Sequence, residues 1–175
     1  MMSRSVAVFT GLLAVSLVIQ LGASWLRQRG LEVGDRVSFS TLGPDSERVR
    51  IPDETVGSCA YLILADPTCG SCATARQRWA RDVALQPGLA APSGWAVRWV
   101  IVAPPAMAES FAIGGPGILP VEWSSMEDRR LLTRLGIAGF PAYAVLDREG
   151  GLVDSGIGAR LPPGGAFRQD CTIDA

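Results

Sequence analysis

Residues 60–72 read AYLILADPTCGSC, and the shape of the chain follows from this stretch. Ala60 to Ala65 form a continuous apolar run without alternation, the pattern of a strand buried on both faces. Asp66 and Pro67 stop it, because proline has no N–H to continue a ladder. From Cys69 onward Ala73, Ala75, Trp79, Ala80 and Val83 recur among Arg76, Gln77, Arg78, Arg81 and Asp82 with helical spacing, and Pro87-Gly88 ends the helix. Strand, break and helix make the first half of a βαβ unit. Residues 95–103 (WAVRWVIVA) supply the second buried strand, which the handedness rule places parallel to the first.

Around this unit the weaker signals fall into order. Residues 37–42 (VSFSTL) alternate, then Gly43-Pro44-Asp45 turn and residues 48–51 complete an edge pair. Residues 104–120 are rich in proline and glycine and read as an irregular connection. Gly114-Gly115-Pro116-Gly117 resembles a phosphate cradle only superficially, since it follows no strand and lacks the Lys-Ser/Thr tail. Ser125 is expected to cap a helix through Met126, Arg130, Leu131, Leu132 and Leu135, closed by Gly136. Residues 142–146 and 152–156, joined by the DREGG turn, form a hairpin. The expected order is β-β, β-α-β, α, β-β, an α/β sandwich with a central mixed sheet.

Composition removes whole classes of function. The 175 residues include 16 arginines and no lysine against 17 acidic residues, a formal net charge of -1 and no basic excess for a nucleic-acid partner. Histidine is absent, which excludes Ser/His/Asp and Cys/His nucleophile activation and imidazole metal sites. Four cysteines, at 59, 69, 72 and 171, are enough for one redox pair and one further bridge. Residues 6–26 (VAVFTGLLAVSLVIQLGASWL) carry no charge and as a helix would run about 30 Å, one hydrocarbon thickness. A cleaved signal would have a shorter core ending at small residues, but Leu21-Gly22-Ala23 puts a large residue where a small one is wanted. An uncleaved transmembrane anchor is therefore expected, with residues 1–29 as anchor and flanks and 30–175 as one domain. Arg4 on one side and Arg27 and Arg29 on the other leave its orientation open.

The chemistry sits at the strand-to-helix junction. Cys69-Gly70-Ser71-Cys72 puts the first thiol at a helix N-terminus, where unpaired N–H groups and the helix dipole favour its thiolate. Cys72, one turn on, can attack back. A structural zinc site would need a second close Cys or His pair, and haem attachment would need His where Ala73 stands. Two chance core cysteines are the remaining alternative, and the helix-start placement argues against them.

With these residues in view the chain resembles the thioredoxin superfamily, in particular its membrane-anchored TlpA- and ResA-like thiol-disulfide oxidoreductases. The resemblance runs from about Gly34 to Gly158: the opening GDRVSFSTL, the buried strand leading into CGSC, and Gly139-Phe140-Pro141-Ala142 before the last hairpin. It implies a thioredoxin-like three-layer sandwich, a cis Pro141 facing the dithiol, and substrate hydrogen bonds from the Phe140 backbone. It also implies a redox disulfide between Cys69 and Cys72, no cofactor and no metal. Its partners would be proteins bearing disulfides and a membrane thiol donor or acceptor. The sequence departs from the pattern where Thr68 replaces the usual Trp and Gly-Ser the common Gly-Pro, which bears on potential and partner choice. The DPTC run is also similar to thioredoxin-like accessory proteins of methylamine dehydrogenase maturation.

Several expectations complete this reading. Cys59 and Cys171 pair as a structural disulfide if the tail folds back, or else Cys59 is a buried small apolar residue and Cys171 a free thiol; the sequence leaves both open. Asp66 is expected to cap the strand end rather than move a proton near Cys72. Arg76, Arg78 and Arg81 are expected on the solvated face of the first helix, and the tail after Gly158 leaves the family's C-terminal helix reduced or absent. The expected activity is disulfide reduction in specific partners, such as those of cytochrome c or methylamine dehydrogenase maturation. A single anchor suits a domain outside the cytoplasm, on the periplasmic or exterior side of the inner membrane. The alternatives are a redox-silent thioredoxin-fold binding module and a copper carrier, the latter weakened by the absence of histidine.

Overall fold

The strand of residues 59–65 is an interior strand of a seven-stranded sheet, and all seven of its residues are buried. The computed structural model describes residues 30–51, 57–86, 88, 94–114, 123–127, 129–158 and 168–172. In chain order the strands are β1 (Phe39–Leu42), β2 (Arg48–Ile51), β3 (Cys59–Ala65), β4 (Trp95–Ile101), β5 (Trp123–Ser125), β6 (Ala142–Leu146) and β7 (Leu152–Ile157). The helices are α1 (Gly70–Leu85), α2 (Pro105–Ile113) and α3 (Arg130–Arg134). Strands lie in the order β2-β1-β5-β4-β3-β6-β7. β3 pairs parallel with β4 and antiparallel with β6, so the sheet is mixed.

Because side chains alternate across a strand, β3 feeds two cores. Tyr61, Ile63 and Ala65 meet Cys72 and Trp79 of α1 and Ala108 and Ala112 of α2 on one face. Ala60, Leu62 and Leu64 meet Leu131, Leu132 and Leu135 on the other. Helices on both faces explain why the β3 sequence lacks alternation.

Two elements depart from the sequence reading. The stretch read as an irregular connection contains α2, with Pro105 in its first turn and the glycines beginning only at Gly114. Proline is tolerated at that position because the first helical N–H groups have no partner within the helix. Ser125 does not cap a helix: it ends β5, pairs with Leu42 and donates to the Leu42 carbonyl at 3.3 Å. A strand of three residues is too short to show a period, and it exists because the outer edges of β4 and β1 are paired through it. The helix expected after Ser125 is confined to α3, with Gly136 at φ +66° closing it.

Arg76 is also placed differently, at 3% exposure against α2, where its guanidinium donates to the Ala112 carbonyl. The C-terminal end of α2 offers this cation unpaired carbonyls and the negative end of the dipole. Arg78 and Arg81 are exposed, as expected.

At the N-terminal end of β3, Cys59 is bonded to Cys171, with Cα atoms 5.4 Å apart and 112 residues between them in sequence. Both are buried, and Trp95 Nε1 donates to the Arg168 carbonyl at 2.9 Å to hold the returning tail. Residues 159–167, where a C-terminal helix was expected to be reduced, lie outside the described residues, as do the expected anchor and its flanks. No helix among the described residues is long and apolar enough to cross a membrane. Closing so long a loop restricts the unfolded chain strongly. Replacing Cys171 by Ser is expected to lower the unfolding free energy by about 2–5 kcal/mol, read as a fall in the urea midpoint of the full chain.

Candidate functional site

The site forms where three chain segments reach the same end of the sheet. β3 and β4 run parallel and end there at Ala65 and Ile101. β6 runs the other way and starts there, with Ala142 opposite Leu64. The turn after β3, carrying Cys69, therefore meets the loop before β6, carrying Phe140 and Pro141.

The turn is shaped by Asp66. Its Oδ1 accepts from the Thr68 backbone N–H at 2.9 Å and from the Thr68 hydroxyl at 2.6 Å, and its Oδ2 accepts from Arg129 at 2.8 Å. Burial pushes the Asp66 carboxyl up, but the Thr68 hydrogen bonds and the Arg129 charge outweigh it and hold the carboxyl below its usual range. So held, Asp66 is an organising carboxylate and a weak base. Thr68, where the resemblance would place Trp, is thus one half of the turn. Asp followed two residues on by Thr is a readable turn signature; Arg129, 63 residues away, left no local sign.

Cys69 is the N-cap of α1, with its Sγ accepting from the Cys72 N–H at 3.3 Å. The Ser71 hydroxyl lies 3.0 Å from the same sulfur. Partial burial raises the Cys69 thiol, but hydrogen bonds from the Cys72 side chain, Ser71 and the Cys72 and Ser71 backbones more than offset it, so the thiol lies below its ordinary value. Cys72 is the opposite case. Fully buried beneath Cys69, it is pushed up to about 12, first by burial and then by its hydrogen bond to Cys69. The two thiols are free, one partly exposed and ready to ionise, the other buried and held protonated.

The Phe140-Pro141 peptide bond is cis. The Cys69 thiol can donate to the Phe140 carbonyl at 3.5 Å, and Ser71 Oγ donates to it at 3.2 Å. The Pro141 carbonyl accepts from the Gly158 N–H at 2.6 Å, which ties the loop to the end of β7. Cys69, Cys72, Phe140 and Pro141 are thus gathered in one place. Cys59 and Cys171 sit at the opposite end of β3, about 20 Å away along the strand. Sequence reasoning did not single out Ser71, whose bond to the Phe140 carbonyl needs a loop 69 residues distant. Among the described residues no group of three or more Cys, Asp or Glu is gathered to hold a metal ion.

A mixed sheet with helices on both faces, a dithiol at the N-terminus of α1 and a cis-proline loop across from it decide the architecture. The fold is thioredoxin-like. No protein-family model matches the chain, and no curated protein matches it in sequence. Several solved structures similar to it are described as thiol-disulfide oxidoreductases or thiol:disulfide interchange proteins. A protein of Chlorobium tepidum described as the thiol:disulfide interchange protein DsbE has 22% identity, over 75% of this chain and 89% of its own, at a TM-score of 0.57. StoA from Bacillus subtilis has 15% identity over 73% and 92%, at 0.55. The thioredoxin domain of a thiol-disulfide oxidoreductase from Bacteroides vulgatus has 14% over 73% and 90%, at 0.52. At these identities the likeness is one of fold.

The two thiols should react very differently. Because the Cys69 thiol is depressed, its thiolate fraction rises, and labelling accelerates, at lower pH than for an ordinary cysteine. Iodoacetamide labelling of the reduced chain followed by peptide mapping is expected to modify Cys69 through a single inflection below the normal thiol range. Cys72 is expected to stay unlabelled up to the highest pH at which the fold survives. Equal labelling of both residues would contradict this geometry.

Proposed function

We propose that this chain is a membrane-anchored, extracytoplasmic thiol-disulfide oxidoreductase that reduces disulfides in specific partner proteins. One observation carries the reading: Cys69, a partly exposed thiol favouring its thiolate, stands over the buried, protonated Cys72 and 3.5 Å from the Phe140 carbonyl of a cis-proline loop. A purely structural pair of cysteines has no need for this division of labour.

The Cys69 thiolate attacks one sulfur of a substrate disulfide, forming a mixed disulfide and releasing the other sulfur as a thiolate, which takes a proton from water. Burial and the bond to Cys69 keep Cys72 protonated until then. Once Cys69 is in the mixed disulfide its negative charge is gone, and so is a major part of what held the Cys72 proton. Cys72 then loses its proton to the departing thiolate or to water and attacks Cys69 Sγ. The Cys69–Cys72 disulfide forms, and the second substrate thiol leaves. A membrane thiol donor restores the dithiol.

Location is argued from two features. Residues 6–26 have the length and apolarity of an anchor. The Cys59–Cys171 disulfide is of a kind that forms and persists in oxidising compartments, which supports a domain on the periplasmic or exterior side. A dithiol with a reducing task in such a place needs electrons delivered through the membrane. Apocytochrome c and the proteins of methylamine dehydrogenase maturation are the substrate classes this reading favours, both needing free thiols or rearranged disulfides outside the cytoplasm.

Two measurements on the full chain test the proposal. Cys72→Ser is expected to trap a mixed disulfide at Cys69 that dithiothreitol releases, while Cys69→Ser traps none. The Cys69/Cys72 couple, equilibrated with thiol buffers, is expected to lie below about -200 mV; a value near about -120 mV would make the protein an oxidant. If no reversible couple appears and nothing is trapped, the domain is a redox-silent binding module.

A further inference from the structure

Cys69 Sγ and Ser71 Oγ both reach the Phe140 carbonyl, and the Ser71 hydroxyl has two acceptors within reach for its one proton. Ser71 Oγ stands 3.0 Å from Cys69 Sγ and 3.2 Å from Phe140 O, and it has a single O–H proton. Cys69 Sγ lies 3.5 Å from the same carbonyl. A carbonyl oxygen has two lone pairs. With Cys69 protonated, the thiol and the Ser71 hydroxyl both donate to Phe140 O and occupy both.

Ionisation of Cys69 changes this arrangement at each atom. The thiol proton leaves to water, so one donor to Phe140 O is lost outright. The sulfur now carries a full charge and is the stronger acceptor, because hydrogen bonds to ionised groups are roughly twice as strong as neutral ones. The Ser71 hydroxyl therefore turns from the carbonyl to the thiolate, and Phe140 O is left with neither donor.

We propose that the Ser71 hydroxyl is a positioning group that opens the Phe140 carbonyl to a substrate main-chain N–H only when Cys69 is a thiolate. This rests on the oxidoreductase reading and on the substrate bond to the Phe140 backbone that the resemblance implies, and adds its coupling through Ser71 to the ionisation of Cys69. The form that attacks is then also the form that docks. After attack the Cys69 sulfur is neutral and bonded to the substrate sulfur, and the Ser71 proton returns to Phe140 O. There it shares the carbonyl with the substrate N–H, one lone pair each, as Cys72 resolves the mixed disulfide. The Gly-Pro usual between the cysteines has no hydroxyl, so this coupling belongs to the Gly-Ser of this chain.

The test uses the full chain carrying phenylalanine labelled with carbon-13 at the carbonyl, with the Phe140 resonance assigned by Phe140→Leu. In the wild type, the Phe140 carbonyl resonance is expected to titrate with the same midpoint as the ultraviolet absorbance of the Cys69 thiolate. Ser71→Ala is expected to leave about tenfold less thiolate at neutral pH, one charge-assisted hydrogen bond having been lost. It is also expected to reduce the amplitude of the Phe140 shift by more than half, and Ser71→Thr is expected to restore both. Ser71 is exposed, and the other phenylalanine carbonyls report whether each variant is folded. If Ser71→Ala titrates as the wild type, or if the thiolate fraction falls while the carbonyl shift keeps its full amplitude, the coupling is overturned. Failure of the oxidoreductase reading is separately visible: the wild-type chain would then show the linked titration without reducing a disulfide-bonded peptide.

Discussion

The structure turns on the burial of β3 between β4 and β6. That single strand delivers the Asp66 turn at one end and Cys59 at the other, and its alternate residues build the cores on both faces of the sheet. Because β4 is parallel to it and β6 antiparallel, the end of β3 and the start of β6 coincide. Cys69 and the cis-proline loop are adjacent for that reason alone. No long-range steering of side chains is needed beyond the sheet register.

Within the site, the same atoms serve stability and chemistry. Every helix begins with N–H groups that lack partners. Here the N-cap is a sulfur, so the bond that starts α1 also stabilises the thiolate. Asp66 accepts from Thr68 and Arg129, which sets the entry angle of the chain into the helix and keeps that carboxylate from competing for protons. Cys72, one turn on, faces inward and loses solvent, which raises its thiol. Two cysteines of identical chemistry acquire opposite shifts in acidity from one turn of helix.

The two sulfur pairs divide by position on β3. One stands at the strand's C-terminal end, where loops converge and solvent reaches Cys69. The other lies at the N-terminal end, under Trp95 and the returning tail, with both cysteines buried. Access decides reactivity, so the buried pair is a staple while Cys69 of the other pair is open to solvent.

Much of this was legible in residues 60–72 taken with residues 95–103 and 142–156, because a buried strand, a proline stop, a helix start and a hairpin each leave a local pattern. CGSC placed one thiol at a helix start and a second one turn on through spacing alone, and the absence of histidine narrowed the possible chemistry further. Other features had no local mark. β5 has three residues and no period; α2 begins at a proline that composition reads as a breaker; Arg76 is buried by a helix terminus 36 residues away. Local patterns determined most of the elements and the spacing of the two CGSC thiols. Tertiary structure decided which distant segments are bonded to one another: the Cys59–Cys171 disulfide, the Asp66–Arg129 ion pair, and the hydrogen bonds of Cys69 and Ser71 to the Phe140 carbonyl. These depend on the order and register of strands, which are set by the burial of whole faces rather than by any short run of residues.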